Sequence, residues 1–413
     1  MSHQKGDMIS YFGTLCSFLA LASCAAIDWL VDGVDTPVTL TTNADQSITL
    51  SNGLAARTFS VTSGFGTIDY ARLDSDGGAS SSCLRAVGPE GYITLDNITY
   101  SLGTISNTAP FAGYFNRSAP GAIMYNSSGW GLKALSTGSP STGGIPWQAG
   151  TRGSPAGAAW PPLGFTLMFE LAAPASAPPR HQAVSVTLVY EMYVGAPLLS
   201  KWVVVNSSSA AAAGVTVSGV TVETLRLAPP CALGSMPLLW TAPDVIYGTD
   251  VIVATDASAA ADLGAIEPTV SLTYTSGPGV VLTGGLGSPN LYPTRIGATA
   301  AEFVSFRALE LLQDSDEVER YSLGVRRIPR LLAPWILENP IFFHTTEPII
   351  GWEEQIDKLA NASFEMIIFS FGSGFDLETA DAAYIAIVKD QVDYARSKGI
   401  EVGGYDCGSM SMS

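Results

Sequence analysis

Short stretches in which hydrophobic and polar residues alternate follow one another along most of the chain. They lie at residues 36–42, 47–51, 57–62, 92–95, 164–171, 184–193, 201–206 and 215–223, and Asn52-Gly53 marks a tight turn between the second and the third. A period of two is typical of strands that bury one face, and no segment before residue 332 has a helical period longer than two turns. The pattern predicts a large β-sandwich over residues 27–332, with a long surface loop at residues 136–162, which are rich in Gly, Ser, Pro and Ala.

The pattern changes after residue 332. Apolar runs at residues 341–344, 365–371 and 400–405 predict three buried strands, and helical patterns at residues 348–362 and 379–398 separate them. This order requires parallel strands that are joined by crossover helices. Three such strands with helices on one side cannot close a barrel and leave an open edge.

The first 26 residues have the pattern of a secretory signal peptide. Lys5 supplies a positive charge, residues 9–22 are apolar, and residues 23–26 are small enough for cleavage. A signal anchor is the alternative interpretation, and Leu21-Ala22-Ser23-Cys24 also fits a bacterial lipoprotein box. Because no other stretch of 18 uninterrupted apolar residues occurs, we expect no stable membrane span.

Five Asn-x-Ser/Thr sequons argue against a bacterial source. They begin at Asn97, Asn116, Asn126, Asn206 and Asn361. Together with a signal peptide, they predict a secreted or secretory-pathway glycoprotein.

The composition limits the classes of partner. Charged residues make up 14% of the chain, and 42 Gly and 25 Pro residues accompany the strand pattern, as in a β-rich globular protein. The net charge of -17 would repel a phosphate backbone, so we expect no nucleic-acid partner. A neutral ligand such as a carbohydrate or glycoside suits this charge. The oligomeric state cannot be read from the sequence.

Three cysteines lie outside the predicted signal peptide, namely Cys83, Cys231 and Cys407. A Cys83–Cys231 disulfide and three buried thiols are both compatible with this spacing. The chain has three His and no HExxH or paired-cysteine pattern, so we expect no transition-metal site.

Six segments of the sequence resemble those of one known family. They read LSNGLAARTF at 50–59, YEMYVGAPLLSKW at 190–202, FRALELLQDS at 306–315, LAPWILENP at 332–340, FEMIIFSFGSGF at 364–375 and YARSKGIEVGGY at 394–405. The family that they resemble is the melibiase-like hydrolases of the α-galactosidase clan. The resemblance implies a mainly β fold with a C-terminal α/β part. It divides the chain into a signal peptide (1–26), a β-supersandwich (27–332), the first three strands of a (β/α)8 barrel (333–407) and a low-complexity tail (408–413).

The resemblance also implies a reaction. Members of the clan hydrolyse α-glycosides with two Asp carboxylates, one after the fourth barrel strand and one after the sixth. The reaction needs no cofactor. Such carboxyls face each other across the sugar, about 5–5.5 Å apart in retaining enzymes. Neither Asp has a matching position here, so we expect a catalytically incomplete fragment with no catalytic residue. Galactosidases place paired acidic residues after the second strand. This chain has Ser370-Phe-Gly-Ser-Gly at that position, so the resemblance does not specify which sugar is recognised.

Substrate-binding residues are expected at the carboxyl ends of the barrel strands. The residues at those positions are His344, Ser370, Ser373, Tyr405 and Asp406. For His344, the alternative is a half-buried structural histidine. For Ser370 and Ser373 it is a sharp strand-to-loop turn, and for Tyr405 and Asp406 it is a locally altered third strand.

Other residues of the C-terminal part are expected to be structural. Trp335 and Trp352 are interpreted as core or interdomain residues, and Glu365 and Glu401 lie at strand starts, the wrong end of a barrel for catalysis. The sequence therefore predicts a secreted protein of the α-glycosidase type. The alternative is a non-catalytic carbohydrate-binding or cell-surface β-sandwich protein.

Overall fold

A computed structural model describes most of the chain from residue 28 to residue 405. The described residues are 28–73, 79–107, 123–142, 147–148, 158–207, 209–227, 238–241, 250–256, 259–260, 265–266, 269–282, 299–300, 302–305, 307–312, 314, 317–377, 379 and 381–405. The predicted signal peptide, Asn116, Cys231, Asp406, Cys407 and the tail at 408–413 lie outside them. None of the described helices has the length and apolar character needed to cross a bilayer.

Strands account for most of the regular structure. Those of the first half are β1 (Thr39–Thr42), β2 (Ile48–Ser51), β3 (Ala55–Ser60), β4 (Gly66–Leu73), β5 (Ala79–Ser82), β6 (Leu84–Ala86), β7 (Gly91–Leu95), β8 (Ile98–Leu102), β9 (Ile105–Asn107), β10 (Ile123–Tyr125), β11 (Gly131–Gly138), β12 (Gly164–Ala172), β13 (Ser185–Tyr193) and β14 (Leu198–Asn206). They continue with β15 (Thr216–Leu227), β16 (Leu238–Thr241), β17 (Asp250–Asp256), β18 (Ala259–Ala260), β19 (Ala265–Ile266), β20 (Thr269–Leu282), β21 (Thr299–Ala300), β22 (Glu302–Val304), β23 (Ala308–Leu311), β24 (Phe342–Thr345), β25 (Met366–Phe369) and β26 (Glu401–Gly404). The helices are α1 (Pro179–Gln182), α2 (Val318–Leu332), α3 (Glu353–Asn361) and α4 (Ala382–Ser397), with 3₁₀ turns at Ala210–Ala212 and Pro334–Leu337.

The strand pairs before residue 312 are antiparallel except β20–β21, which is parallel. The meander sheet has the order β1-β2-β3-β4-β5. The β13 sheet has the order β11-β12-β13-β14-β23-β16, with β22 also on β14, and the β15 sheet has the order β17-β20-β15-β7-β8, with β6 on β15 and β21 on β20. Two small pairs, β9-β10 and β18-β19, complete the described strands. A mainly β fold with antiparallel sheets is thus confirmed, and each run of alternating residues overlaps with one of these strands.

One hydrophobic core joins the three large sheets. Phe59 of the meander sheet packs against Phe169 and Tyr190 of the β13 sheet, with ring centroids 4.9 and 5.0 Å apart. Val217 and Val220 of β15 belong to the same buried cluster. Burial alternates with a period of two along the second half of β12, as the sequence pattern predicts, whereas the first six residues of β14 are all buried.

Helix α2 corrects the expectation that no helix longer than two turns precedes residue 332. Only Gly324 and Ile328 of its 15 residues are buried, so the apolar stripe is too short to produce a visible period. Pro329 lies inside the helix and reads as a helix breaker in the sequence. Glu317 caps the first turn by accepting hydrogen bonds from the Glu319 and Arg320 amides.

The amino-terminal strap, residues 28–35, ties α2 to the sandwich. Trp29 is buried in a cluster with Leu309 and Ile328, and its indole Nε1 donates to Asp314 at 2.9 Å. Arg320 of α2 donates to both carboxylate oxygens of Asp28, at 2.8 and 2.9 Å. The strap and α2 are therefore one packing unit, although almost 300 residues separate them in sequence.

Smaller differences concern where elements begin and end. Helix α3 begins at Glu353 rather than at 348, because Gly351 has a left-handed backbone (φ 79°) that a helix does not continue through. Strand β11 extends through Gly138 into the predicted loop. Cys83 is disulfide-bonded, which excludes three free thiols, and its partner lies outside the described residues.

The buried ion network

Five charged side chains meet inside the core, where the sequence pattern predicts apolar residues. This network consists of Arg57 on β3, Glu90 before β7, Lys201 on β14, Glu223 on β15 and Glu310 on β23, and each side chain is at most 1% exposed. Arg57 contacts all three carboxylates, with N–O distances of 2.9 Å to Glu90, 2.9 Å to Glu223 and 3.1 Å to Glu310. The network therefore links the three large sheets.

Lys201 is the second cation of the network. Its Nζ lies 3.1 Å from Glu223 and 3.3 Å from Glu90, and it also donates to the Glu90 carbonyl at 2.5 Å. The Tyr190 hydroxyl donates to Glu90, and the Arg57 guanidinium lies 5.0 Å from the centre of the Tyr190 ring. Since none of these groups reaches solvent, the network cannot receive a substrate.

The pKa values of two carboxyls in the network are shifted in opposite directions. Burial, followed by the charge of Glu223, raises the pKa of Glu310 well above its ordinary value. Burial also opposes ionisation of Glu223, but Arg57 and Lys201 outweigh it and lower the pKa of Glu223 to about 2. These shifts favour the protonated form of Glu310 and the ionised form of Glu223, to which Glu310 hydrogen-bonds.

Candidate functional site

The C-terminal part forms a small parallel sheet with the order β24-β25-β26. Phe343 pairs with Ile367, and Ile367 pairs with Val402, so these residues share one face. Helices α3 and α4 cover that face, where Ile367 and Phe369 are buried with Trp352, Ile356 and Ala395. The predicted strand–helix–strand–helix–strand unit with parallel strands is present.

The opposite face of the parallel sheet has no helix on it among the described residues. Phe342 and His344 point to this face with Met366 and Ile368, as the register requires. Phe342 is 55% exposed, and His344 is also exposed. Among the residues that the structure describes, helices therefore cover one side of this sheet, as the sequence predicts.

Three aromatic side chains meet at the carboxyl edge of the parallel sheet. His344 ends β24, Phe371 follows β25 and Tyr405 follows β26. The His344 and Tyr405 ring centroids are 5.2 Å apart with an interplanar angle of 34°, and those of Phe371 and Tyr405 are 5.5 Å apart. Tyr405 is 50% exposed and Phe371 57% exposed. We call these three residues the aromatic edge; it offers solvent apolar ring faces, an imidazole and a phenol hydroxyl.

The two predicted serines lie in the loop that follows β25. The Ser370 amide donates to the Thr345 carbonyl at 2.7 Å, which continues the parallel pairing. Ser373 is 4% exposed, and its hydroxyl accepts a hydrogen bond from the Phe375 amide at 3.3 Å. Ser373 thus stabilises its own loop in this structure, while Ser370 lies beside the aromatic edge.

Left-handed glycines shape this loop. Gly372 and Gly374 have φ values of 89° and 70°, which favour glycine. The Tyr384 hydroxyl of α4 donates to the Gly374 carbonyl at 2.6 Å and accepts from the Asp376 amide at 2.8 Å. The loop is therefore held against α4, and the glycines allow the bend in its backbone.

The expected structural residues have structural contacts. Glu365 accepts a hydrogen bond from the Ile341 amide at 2.9 Å, at the amino end of the sheet. Trp352 is 7% exposed. Trp335 packs against Trp147 and Trp160, with centroids 6.4 and 4.9 Å away, which brings the predicted 136–162 loop against the start of the C-terminal part.

The described residues contain no group of three His, Cys, Asp or Glu side chains placed to hold a metal ion. The aromatic edge instead suits a neutral ligand, because ring faces contact C–H groups while the phenol and imidazole exchange hydrogen bonds with hydroxyls. Sequence reasoning missed Phe371, which lies two residues beyond β25 and whose position at a strand end was the available signal.

Comparison with known proteins gives matches in structure and none in sequence. No family model and no curated protein sequence matches the chain. One match is the galactosidase domain of an alpha-galactosidase-sucrose kinase, AgaSK, with 10% identity and a TM-score of 0.33 over 89% of this chain and 57% of that one. The GH36 alpha-galactosidase AgaA from Geobacillus stearothermophilus has 10% identity and a TM-score of 0.32, over 87% and 56%. The alpha-N-acetylgalactosaminidase NagBb from Bifidobacterium bifidum has 11% identity and a TM-score of 0.29, over 87% and 58%.

The chain thus spans a little more than half the length of each of these three solved structures. All three are glycosidases of the kind that the sequence resembles.

Proposed function

We propose that this protein is of the secreted α-glycosidase type and holds a glycoside at the aromatic edge. In this proposal residues 27–332 are the β-supersandwich and residues 333–407 the first three strands of a (β/α)8 barrel. The observation that carries it is the meeting of His344, Phe371 and Tyr405 at the carboxyl ends of parallel strands covered on one side. In α/β barrels that end of the strands holds the substrate.

The proposal assigns binding rather than turnover to these residues. Glycoside hydrolysis requires two opposed carboxyls, and neither Asp that the resemblance implies has a counterpart among the described residues. Ser370 and Asp406 remain predicted contacts of the same ligand, because they follow β25 and β26. We expect the chain by itself to release no phenol from aryl α-galactosides.

A sugar titration tests the aromatic edge. Tyr405→Ala in the full chain is expected to weaken binding of methyl α-galactoside roughly threefold to tenfold, because it removes a ring contact worth about 0.5–1.5 kcal/mol. Isothermal titration calorimetry or ligand-observed NMR measures this affinity.

The matched control is Tyr125→Ala, since Tyr125 is 60% exposed on the sandwich and should not affect the affinity. Equal affinity of the Tyr405→Ala variant and the natural chain would contradict the proposed site.

Secretion is the second part of the proposal, and the disulfide at Cys83 supports an oxidising compartment. Three described sequons are exposed: Asn97 in the β7–β8 turn, Asn126 after β10 and Asn361 at the end of α3. The Asn126 Oδ1 accepts a hydrogen bond from the amide of Ser128, the hydroxyl residue of its own sequon, at 3.0 Å. This exposed turn presents the Asn126 side chain to solvent.

The sequon at Asn206 differs from the others. Asn206 is half-buried at the end of β14, and its Nδ2 donates to Glu302 at 3.3 Å, while Ser207 is fully buried. When the chain is secreted from eukaryotic cells, we expect a glycan at Asn126 and none at Asn206. Glycopeptide mass spectrometry measures the occupancy of each site, and Asn126→Gln should remove one glycan while Asn206→Gln removes none. An unglycosylated secreted product, or a filled Asn206, would contradict this expectation.

A further inference from the structure

A cleft of about 690 Å3 lies between the amino-terminal strap, helix α2 and the turn that joins β13 to β14. Its volume is within the roughly 300–1,000 Å3 that is usual for small-molecule sites. Ala158, Ala159 and Leu163 line it from the segment before β12, and Leu337 lines it from the 3₁₀ turn. The cleft is separate from the aromatic edge, because no residue of that edge lines it.

The walls of the cleft are held in place by buried contacts. Asn52 is fully buried, and its Nδ2 donates to the carbonyls of Tyr193 and Ala196 at 2.7 and 2.6 Å, which fixes the β13–β14 turn. Trp29, 1% exposed, fixes the strap through its hydrogen bond to Asp314. A site with fixed walls binds a ligand without the cost of ordering its own loops.

Opposite charges without partners line this cleft. Arg330 on α2 and Asp35 on the strap are exposed, and neither forms an ion pair or a hydrogen bond with another described residue. Arg327 and Asp32 also line the cleft, but Arg327 donates to the Leu30 carbonyl and Asp32 accepts from the Asp28 amide. The cleft therefore offers a ligand the Arg330 guanidinium as a hydrogen-bond donor and the Asp35 carboxylate as an acceptor.

We propose that this cleft is a second binding site, for a neutral oligosaccharide. A guanidinium only donates and a carboxylate only accepts, whereas neighbouring sugar hydroxyls do both, so one sugar can satisfy Arg330 and Asp35 together. The two Arg and two Asp of the cleft balance, and the net charge of -17 disfavours an anionic ligand. Leu163, Leu331 and Leu337 supply apolar surface for the C–H faces of the rings.

Raffinose, a neutral trisaccharide, is the probe for the experiment. Its affinity is measured by calorimetry on the full chain in a Tyr405→Ala background, in which binding at the aromatic edge is weakened. Arg330→Ala and Asp35→Ala are each expected to weaken binding about tenfold, the usual effect of losing a hydrogen bond to a charged group. Arg326→Ala is the matched control, because Arg326 is exposed on the same helix and does not line the cleft.

The outcomes separate the two sites. Loss of raffinose binding in the Arg330 and Asp35 variants supports the cleft whether or not Tyr405 matters for the other site. Absent binding, or equal affinity in all variants, overturns the cleft proposal and leaves the aromatic edge untouched. Binding of inorganic phosphate or glycylglycine that depends on Arg330 would also overturn it, because the ligand class would then be charged. Since Arg330 and Asp35 are exposed, unchanged thermal unfolding of the variants shows that folding is not the cause.

Discussion

Replacing Arg57 with methionine is expected to lower the free energy of unfolding by about 3–5 kcal/mol, the usual cost of removing one partner from a buried ion pair. The guanidinium contacts three carboxylates, and its loss leaves only Lys201 to balance them. Protonating further carboxyls would relieve the charge but would leave their hydrogen bonds unmade.

Denaturant unfolding at neutral pH measures this effect, with intrinsic tryptophan fluorescence as the signal. Arg57→Lys is expected to be destabilised as well, because one ammonium group cannot contact Glu90, Glu223 and Glu310 in the geometry of the planar guanidinium. Arg326→Met is the control for losing an arginine at the surface, and its change should stay within about 0.5 kcal/mol. If Arg57→Met also lowers the free energy of unfolding by no more than about 0.5 kcal/mol, the network does not stabilise the fold.

The second large effect concerns the raised pKa of Glu310. If Glu310 is protonated at neutral pH, Glu310→Gln replaces a neutral carboxyl with a neutral amide and should change stability by less than about 1 kcal/mol. Glu223→Gln removes an ionised group, but Glu310 can then ionise in its place, so the single change is partly compensated. The double variant has no such compensation and should lose about 3–5 kcal/mol, more than the two single changes together.

The pH dependence gives an independent check of this assignment. The pKa of Glu223 is lowered from 4.5 to about 2, so its contribution to stability is full above pH 4.5 and is lost as the pH falls toward 2. The pKa of Glu310 is raised, so stability is lost as the pH rises above 4.5, and Glu310→Gln should remove that loss. If Glu310→Gln alone is as costly as the double variant, both carboxyls are ionised and the assignment is wrong.

The strands were predictable because burial on one face imposes a period of two on the sequence. Phe169 and Leu171 alternate with exposed or half-buried neighbours on β12, and the sequence shows this directly. The parallel unit was predictable for the same reason, since Ile367 and Phe369 lie on a strand between two helical patterns. Helix α2 was missed because its few buried residues and Pro329 conceal its period.

Charged residues of the network could not be placed from the sequence alone. Lys201 and Glu310 lie in phase with apolar core positions, but a single charge in a strand is more often read as a solvent-facing residue. Their partners are up to 253 residues away in the chain, as between Arg57 and Glu310, and only the folded sheets bring them together. The segments that resemble the melibiase-like family did contain a signal for the network. Arg57, Tyr190, Lys201 and Glu310 all lie in those segments.

The aromatic edge was predictable in position but not in composition. Strand ends identified His344 and Tyr405, whereas the contact of Phe371 with Tyr405 depends on how the glycines bend the loop. The cleft at the strap had no sequence signal, since Asp35 and Arg330 belong to segments that are far apart in sequence and meet only in the folded structure.

The long sequence separation within the strap contacts has a consequence for the order of events during synthesis. Arg327 donates to the Leu30 carbonyl across 297 positions, and the indole of Trp29 reaches Asp314 across 285. A ribosome must therefore deliver nearly the whole sandwich before the strap can dock, and until then the Trp29 side chain lacks its buried position. Completion of α2 is the step after which the strap can be buried.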